Sequence, residues 1–251
     1  MQTISIITAV RNNRQFIEES LGSQLSQTYT NVERIVVDGG STDGTLEIVK
    51  SFGSRIDRII TGPDRGLYDA LNKGIRAATG DIIGLLHSDD LFAGQDTLYK
   101  VHEALADDGL DACYGDLLYV DKQDTSRIVR YWRAGTYHHK SFYWGWMPPH
   151  PTFFAKRVLY EKYGLFNLDM GTAADYELLL RYFVKYEIRA AYIPEVLVKM
   201  RTGGTSNSSI ESRIRANRND KKAWDVNGLS PYPWTFMVKP IRKLPQYFRR
   251  P

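Results

Sequence analysis

Residues 82–90, IIGLLHSDD, contain the pattern that decides the fold. Five residues of nearly unbroken apolar character lead into the adjacent acids Asp89 and Asp90, and a short apolar run behind a glycine is typical of a buried strand. Acidic pairs also open helices, where they complement the helix dipole. Carboxylates after a buried strand suit Mg²⁺ or Mn²⁺ better, because these ions take one or two carboxylates and complete their shell with water and phosphate oxygens. We therefore predict a divalent metal site at Asp89 and Asp90.

Upstream of this stretch, strand patterns alternate with helix patterns. Strands are predicted at residues 4–10, 32–37, 56–61 and 82–86, with amphipathic helices between them. Such alternation predicts right-handed βαβ units and a mostly parallel, Rossmann-like sheet with helices on both faces. We expect Ser41 or Thr42 to cap the second helix and Gly80 to end the third.

Acidic residues follow three of these strands. Asp38 ends the second strand, Asp64 follows the third, and the Asp89 and Asp90 pair follows the fourth. Ligands of parallel sheets bind beyond the carboxyl ends of the strands, so we expect the four carboxylates at one edge. Their mutual repulsion calls for a cation or for a ligand that donates hydrogen bonds. Asp38 either accepts a hydrogen bond from a base or ribose or caps its own turn.

The second half of the chain has a different pattern. After a helix at residues 97–105, strands are predicted at 112–119 and 127–132, joined by a polar turn that favours antiparallel pairing. Residues 137–154 are rich in aromatics, His, Gly and Pro without a clear period, which predicts a loop. Asp175 opens a helix at 175–184, and short strands are expected at 189–193 and 196–200. The fold class is therefore α/β with a mixed, partly antiparallel second half.

Composition indicates one main globular domain with a C-terminal extension. Of 251 residues, 43% are hydrophobic and 25% are charged, which is ordinary for a globular protein. The single cysteine, Cys113, excludes an intrachain disulfide framework and a Cys-rich zinc site and fits a reducing compartment. The first residues do not resemble a secretory signal, and no apolar run is long enough to cross a bilayer. We expect a cytoplasmic protein, with the inner face of the cell membrane as a second location.

The basic charge is concentrated at the C-terminus. The net charge is +4, and residues 226–251 contain no acid. Their basic residues are Lys239, Arg242, Lys243, Arg249 and Arg250. Interleaved aromatic and aliphatic residues predict a segment that lies on an anionic membrane, as a peripheral contact. The alternative is a tail packed over the domain with its charges solvated. A nucleic-acid partner is not expected, since no nucleic-acid-binding motif accompanies the charge.

The glycine-rich residues 39–45, GGSTDGT, do not form a known phosphate loop. A Walker loop needs a lysine after its last glycine, and Thr45 stands there. The dinucleotide fingerprint GxGxxG is also absent. Both interpretations are rejected.

Six motifs in order resemble the family 2 glycosyltransferases, which are inverting enzymes with the GT-A fold. They are SIITAVRN, VVDGGSTDGT, PDRGLYDALNKGI, LLHSDD, HPTFF and DYELLLR, and they cover most of residues 4–206. Each motif alone is weak, but the ordered set is specific. The resemblance implies a GT-A domain at residues 1–205, with a nucleotide-sugar-binding half at about 1–115 and an acceptor half at about 116–205. The basic helical extension, residues 206–251, is not covered by it.

The resemblance also implies roles for individual positions. Thr8, Ala9 and Asp38 would surround the nucleotide base and ribose, Asp64 and Arg65 would lie near the base or the diphosphate, Asp89 and Asp90 would bind Mg²⁺ or Mn²⁺, and Asp175 would be the catalytic base. His150 lies in a segment that is near the donor sugar or the acceptor in similar enzymes, whereas a lone His before Pro is more often structural. In the aromatic loop, Trp144 and Trp146 could stack on sugar rings, or they could close the core.

The sequence departs from the family pattern in two places. His87 stands where many relatives have an acid, which leaves Asp89 and Asp90 to bind the metal. Ala173 and Ala174 precede Asp175 where many relatives carry another acid, so Glu177 on the same helix competes for the role of base. Asp175 is favoured because it opens the helix.

The implied reaction is transfer of a sugar from a UDP-, GDP- or dTDP-linked donor to an acceptor hydroxyl with inversion. A lipid-linked or growing saccharide in surface polysaccharide synthesis is the expected acceptor. One alternative is a sugar nucleotidyltransferase, which would need a basic glycine-rich loop near the first strand, and ITAVRNN has no glycine. The other is a catalytically silent nucleotide-sugar-binding scaffold, which the presence of Asp38, Asp89, Asp90 and Asp175 together disfavours.

Overall fold

The computed structural model describes residues 1–203 and 210–248, without the side chains of residues 210–217. The strands are Ile4–Val10 (β1), Val32–Asp38 (β2), Arg58–Thr61 (β3), Ile82–Leu85 (β4), Leu91–Phe92 (β5), Ala112–Val120 (β6), Ile128–Trp132 (β7), Phe154–Lys156 (β8) and Ala190–Arg201 (β9). The α-helices are Ile17–Leu25 (α1), Thr45–Ser51 (α2), Leu67–Ala77 (α3), Thr97–Ala104 (α4), Arg157–Tyr163 (α5), Ala174–Leu180 (α6), Ile210–Val226 (α7) and Thr235–Ile241 (α8).

The first half forms the predicted parallel, Rossmann-like sheet. Strands pair in the order β3-β2-β1-β4, all in parallel. Every residue of β1 and of β4 is buried, as expected of strands covered on both faces. Because the strands share one direction, β2, β3 and β4 all end at the same edge of the sheet.

The second half extends this sheet with mixed pairing, as predicted. The short strand β8 is antiparallel to both β4 and β6 and so joins the two halves. Strand β6 also pairs with β7 in antiparallel and with β9 in parallel orientation. Buried aromatic rings pack below this region, including Tyr114, Phe142, Trp146 and Phe183.

Three local predictions were wrong. The strands expected at 189–193 and 196–200 are one strand, β9, whose register shifts opposite Gly115 and Asp116. A Cβ at Gly115 would lie 2.5 Å from the Leu197 side chain, so glycine permits this close approach. The cap of α2 is Gly44 in the left-handed conformation rather than Ser41 or Thr42. Helix α3 is capped by Ala78.

Gly80 therefore has a packing role and does not end α3. A Cβ at this position would lie 2.5 Å from Ser5 Oγ and 2.8 Å from the Thr3 carbonyl oxygen. The Gly80 N–H donates to Ser5 Oγ at 3.0 Å. Gly80 thus lets the chain pass close to β1 before β4 begins.

The C-terminal extension packs against α6, the helix that carries Asp175. Helix α7 spans the basic segment predicted to be helical. Its Trp224 is fully buried and donates from Nε1 to the Tyr176 hydroxyl at 2.9 Å. Asn227 donates to Glu177 Oε1 at 2.9 Å. The predicted boundary at residues 205 and 206, like Arg249 and Arg250, lies outside the described residues. No helix within the described ranges is long and apolar enough to cross a membrane.

Candidate active site

The carboxyl end of β2 places Asp38 in a tight turn. Asp38 is 1% exposed, and its Oδ1 accepts the N–H groups of Gly40 at 3.0 Å and Ser41 at 2.9 Å. Its Oδ2 is buried without a hydrogen-bond partner among the described residues. One oxygen therefore stabilises the turn, and the other is buried without a partner among the described residues. The turn-capping interpretation of Asp38 thus fits the geometry, and the contact with a nucleoside stays a prediction.

The loop after β3 meets the turn after β2. A Cβ at Gly39 would lie 2.2 Å from Asp64 Oδ2 and 3.5 Å from Arg11 Cδ. Asp64 and Arg11 thus flank the residue that follows Asp38, and any side chain at Gly39 would displace them. The Arg65 side chain, by contrast, is 78% exposed and lies 4.0 Å from Asp69.

Thr8 and Ala9 lie at the same sheet edge but face the protein interior. Thr8 is fully buried, and its hydroxyl accepts a hydrogen bond from Gln24 Nε2 at 2.9 Å. Ala9 is 6% exposed and belongs to the main core. Neither side chain is therefore exposed at this edge, and their contact with a nucleotide stays a prediction.

Asp89 and Asp90 follow β4 as predicted, but the structure gives them different surroundings. Asp90 is 1% exposed, its Oδ1 accepts the Arg201 N–H at 3.3 Å, and its Oδ2 is buried without a partner among the described residues. Asp89 is half-buried, and its carbonyl accepts from Arg201 Nη1 at 2.6 Å. Arg201 also pairs with Glu19. The Asp90 side chain therefore faces β9, which leaves Asp89 as the more accessible carboxylate.

The two acids also differ in their pKa values. Burial raises the pKa of Asp89, and burial together with the charge of Asp89 raises the pKa of Asp90 well above its usual range. Among the described residues no three His, Cys, Asp or Glu side chains are grouped to hold a metal ion. A single accessible carboxylate fits Mg²⁺ or Mn²⁺ only if water and substrate phosphate supply the other ligands, which is the usual arrangement for Mg²⁺. Asp89 fits this requirement better than Asp90.

Asp175 lies in a hydrogen-bonded chain with two histidines. Its Oδ2 is 3.0 Å from His150 Nδ1, and His150 Nε2 is 3.3 Å from His87 Nε2. His87 is two residues before Asp89, so this chain of contacts joins the β4 end to the start of α6. Burial and the neighbouring His150 lower the pKa of His87 to about 4, which keeps His87 neutral at pH 7.

The surroundings of Asp175 favour its charged form. Burial raises the pKa of Asp175, but His150, the Tyr176 N–H and Lys239 together outweigh this effect, and the net pKa is lowered. Burial and the charge of Asp175 raise the pKa of the Tyr68 hydroxyl well above its usual range. A cavity of about 10 Å³, lined by Tyr68, His150, Asp175 and apolar side chains, is about the size that holds one water.

Glu177, the competing carboxylate on α6, already has a structural role. It is 2% exposed and forms an ion pair with Arg181 at 2.9 Å. It also accepts from Asn227. A buried, fully paired carboxylate is a poor proton acceptor for a substrate, so Asp175 is the better candidate.

The two tryptophans of the aromatic loop have different surroundings. Trp146 is 6% exposed, and its Nε1 donates to the Ala134 carbonyl at 2.7 Å, so it closes the core and is not free to stack on a sugar. Trp144 is 49% exposed and lies 5.7 Å from the Trp234 ring of the extension. A cleft of about 370 Å³ adjoins Trp144, and its lining residues include His139, Lys140 and Arg242 but no acid.

Sequence reasoning missed several members of this site. The contact of His87 with His150 joins residues 63 positions apart, and no local pattern signals it. Tyr68 stands inside the PDRGLYDALNKGI motif, which assigns it no role. Lys239, from the extension, contributes to the lowered pKa of Asp175 and lies 3.9 Å from the Tyr176 ring. Arg11 stands inside the SIITAVRN motif, and this motif is the sequence signal that could have identified it as a site residue.

The mixed α/β sheet is that of the GT-A fold. Residues 5–165 match the family described as "Glycosyl transferase family 2". The chain belongs to this family, and it is a glycosyltransferase. It is 32% identical over 195 residues to an uncharacterized glycosyltransferase of Mycobacterium tuberculosis, covering 71% of this chain and 68% of the relative. It is 29% identical over 215 residues to a PGL/p-HBAD biosynthesis glycosyltransferase of Mycobacterium bovis, covering 84% and 81%.

Solved structures support the same fold. The mannosyltransferase PcManGT from Pyrobaculum calidifontis, in complex with GDP-Man and Mn²⁺, has a TM-score of 0.66 at 23% identity, over 94% of this chain and 68% of that one. S. aureus TarS 1–349, in complex with UDP-GlcNAc, has a TM-score of 0.66 at 16% identity, over 90% and 70%. At these identities the likeness establishes the fold alone, and the α/β GT-A prediction is confirmed.

Proposed function

We propose that the protein transfers a sugar from a nucleoside diphosphate sugar to an acceptor hydroxyl with inversion at the anomeric carbon. The observation that carries the proposal is the contact chain from His87 through His150 to Asp175. This chain brings a carboxylate of lowered pKa to the end of β4, where the accessible Asp89 stands. The proposal takes Asp175 as the base and Asp89 as the acid that lies toward the donor diphosphate.

Asp175 acts as the general base. As the acceptor oxygen attacks the anomeric carbon, its hydrogen passes to the Asp175 carboxylate, and the bond from that carbon to the diphosphate oxygen breaks. The electron pair of that bond leaves with the nucleoside diphosphate, so one displacement inverts the configuration. This role requires the carboxylate within about 2.6–3.2 Å of the acceptor oxygen in the reactive complex.

The donor binds beyond the ends of β2, β3 and β4. The unpartnered Asp38 Oδ2 accepts a hydrogen bond from the nucleoside, and Asp64 and Arg11 lie beside it. Asp89 holds a divalent ion, Mg²⁺ or Mn²⁺, and Asp90 supports that loop from the core. When bound, the ion neutralises charge on the departing diphosphate. UDP-, GDP- and dTDP-linked donors are all candidates, and the GDP-Man and UDP-GlcNAc complexes of proteins with the same fold support the first two.

A panel of donors tests the reaction. Release of nucleoside diphosphate is measured with UDP-, GDP- and dTDP-sugars, with Mg²⁺, Mn²⁺ or a chelator, and with crude lipid extract as the acceptor. We expect release with one class of donor, loss of release with chelator, and an inverted anomeric configuration in the product. Binding of a donor without release in any combination would favour the silent scaffold, and release of pyrophosphate would favour the nucleotidyltransferase.

The acceptor is a lipid-linked or growing saccharide that the enzyme reaches at an anionic membrane. Five large apolar side chains at and beyond α8 are exposed and recur every three or four residues: Trp234 41%, Met237 73%, Ile241 62%, Leu244 58% and Phe248 85%. An apolar ridge of this kind marks an interaction surface. The segment 226–251 has five basic residues and no acid, which suits anionic headgroups. The basic cleft beside Trp144 adjoins the same extension.

Vesicle flotation tests this surface, which we call the apolar ridge. The double variant Met237→Ser/Ile241→Ser should reduce binding to phosphatidylglycerol vesicles at least about tenfold, because burying each such side chain contributes roughly 1.5–3 kcal/mol. Tyr99→Ser/Val158→Ser is the matched control, since these side chains are 47% and 54% exposed elsewhere on the protein. Equal flotation of both double variants, or no flotation of the wild type, would contradict the membrane contact.

A further inference from the structure

His150 is held by both of its ring nitrogens. Nδ1 lies 3.0 Å from Asp175 Oδ2, and Nε2 lies 3.3 Å from His87 Nε2. The side chain of His150 is 27% exposed and that of Asp175 is 16% exposed, so the pair is largely shielded from water. We propose that His150 is a positioning residue that fixes the Asp175 carboxylate for proton transfer. The inference rests on the proposed function, since it takes Asp175 as the base.

The two contacts determine where the hydrogens of the imidazole lie. A carboxylate can only accept, so the contact with Asp175 requires a hydrogen on His150 Nδ1. The contact between the two Nε2 atoms needs one hydrogen between them, and His87 supplies it in the tautomer of His150 whose single hydrogen is on Nδ1. Rotation of the His150 ring would break both contacts. The tautomer and the orientation of His150 are therefore fixed together.

A fixed imidazole in turn fixes the carboxylate. With Oδ2 bound, the Asp175 carboxylate cannot rotate freely about its Cβ–Cγ bond. Misplacement of a catalytic group by about 1 Å can cost roughly 10²-fold in rate. In the reverse assignment Asp175 would orient His150, and His150 Nε2 would take the proton, as in hydrolase triads. The contact with His87 already occupies that nitrogen, which favours Asp175 as the base.

Two amide substitutions separate the contacts of His150. The side-chain nitrogen of asparagine can take the place of Nδ1 and keep the hydrogen bond to Asp175. That of glutamine reaches the place of Nε2 and leaves Asp175 without this donor. We expect His150→Gln to lower kcat about 10²-fold and His150→Asn to stay within about tenfold of the wild type, with the donor KM unchanged in both. Rates are measured at saturating donor with one fixed acceptor preparation, and thermal unfolding confirms that both variants fold.

The pH dependence of kcat/KM gives a readout that lost packing would not move. His150 lowers the pKa of Asp175 against the effect of burial. Activity needs the unprotonated carboxylate and is lost as the pH falls through this pKa. Loss of the His150 contribution raises the pKa, so the acid limb of His150→Gln should lie at higher pH, with His150→Asn between it and the wild type. The other ionisable groups that face Asp175 are kept in both variants: Tyr68, His87, Tyr119, Asp220 and Lys239.

The outcomes distinguish this inference from the proposed function. A larger loss in His150→Gln than in His150→Asn, together with a shifted acid limb, supports the positioning role. Equal losses with an unmoved limb would assign His150 to packing, and a His150→Asn variant as inactive as Asp175→Asn would make His150 the base. Failure of the wild type to release nucleoside diphosphate would instead reject the proposed function before the variants are compared.

Discussion

The carboxyl end of β4 and the start of α6 each bring a carboxylate to the site, but by different means. At β4 a fully buried strand leads directly to Asp89. At α6 the position of Asp175 depends on distant segments, with His150 bound to its Oδ2 and Trp224 of the extension bound to the adjacent Tyr176. The first region therefore follows a strand that the local sequence marks, although Arg201 also binds its loop, whereas the second depends on tertiary contacts alone. Substitutions in the extension should therefore disturb the base and spare the donor side.

The largest effect is expected at the base itself. Asp175→Asn removes the proton acceptor but keeps the shape of the side chain, so kcat should fall by about 10²- to 10⁴-fold. Donor affinity, measured by titration calorimetry with a nucleoside diphosphate, should stay the same because Asp38 and Asp89 are untouched. Turnover at the wild-type rate would remove Asp175 from the mechanism. Glu177→Gln is a poor control, since Glu177 is buried in an ion pair with Arg181.

Substitutions of two tryptophans in the extension should lower the free energy of unfolding by very different amounts. Trp224→Ala empties a fully buried site beside Tyr176 and Tyr143, whose ring lies 4.8 Å from that of Trp224. It should lower the free energy of unfolding by about 3–5 kcal/mol. Trp234→Ala is the matched control: Trp234 is 41% exposed, and its loss should cost less than about 1 kcal/mol. Urea unfolding measures both, and equal costs would mean that the extension is not part of the folded domain.

The same contrast explains how much of the molecule the sequence predicted. The apolar run at residues 82–86 predicted β4, because a strand that is buried on both faces is apolar at nearly every position. Asp89 and Asp90 follow this run in the sequence. Strand β8 has three residues and no period, and it exists because β4 and β6 both pair with it. The sequence around Trp224 is basic and does not indicate that this side chain is buried. The contact of His87 with His150 follows only from the tertiary fold.

Substitutions of Asp89 and Asp90 should have different effects on the rate, although the two residues are adjacent in sequence. Asp89→Asn is expected to lower the divalent-dependent rate roughly 10²-fold, since the accessible carboxylate is lost. Asp90→Asn should stay within about tenfold of the wild type, because an amide oxygen can still accept the Arg201 N–H. The rates are compared over a range of Mg²⁺ and Mn²⁺ concentrations. A larger loss in Asp90→Asn would place the metal ligand on the buried acid.

The smallest effect is expected at the nucleoside end, and it should appear in KM. An asparagine at Asp38 can keep its oxygen toward the N–H groups of Gly40 and Ser41, so the turn should survive. Its NH₂ group would then replace Oδ2, the oxygen without a partner, and would present a donor where the nucleoside needs an acceptor. We expect the donor KM to rise about tenfold, roughly 1.4 kcal/mol, with kcat nearly unchanged. A fall in kcat at constant KM would instead link Asp38 to the chemistry at α6, and the two regions would no longer be functionally separate.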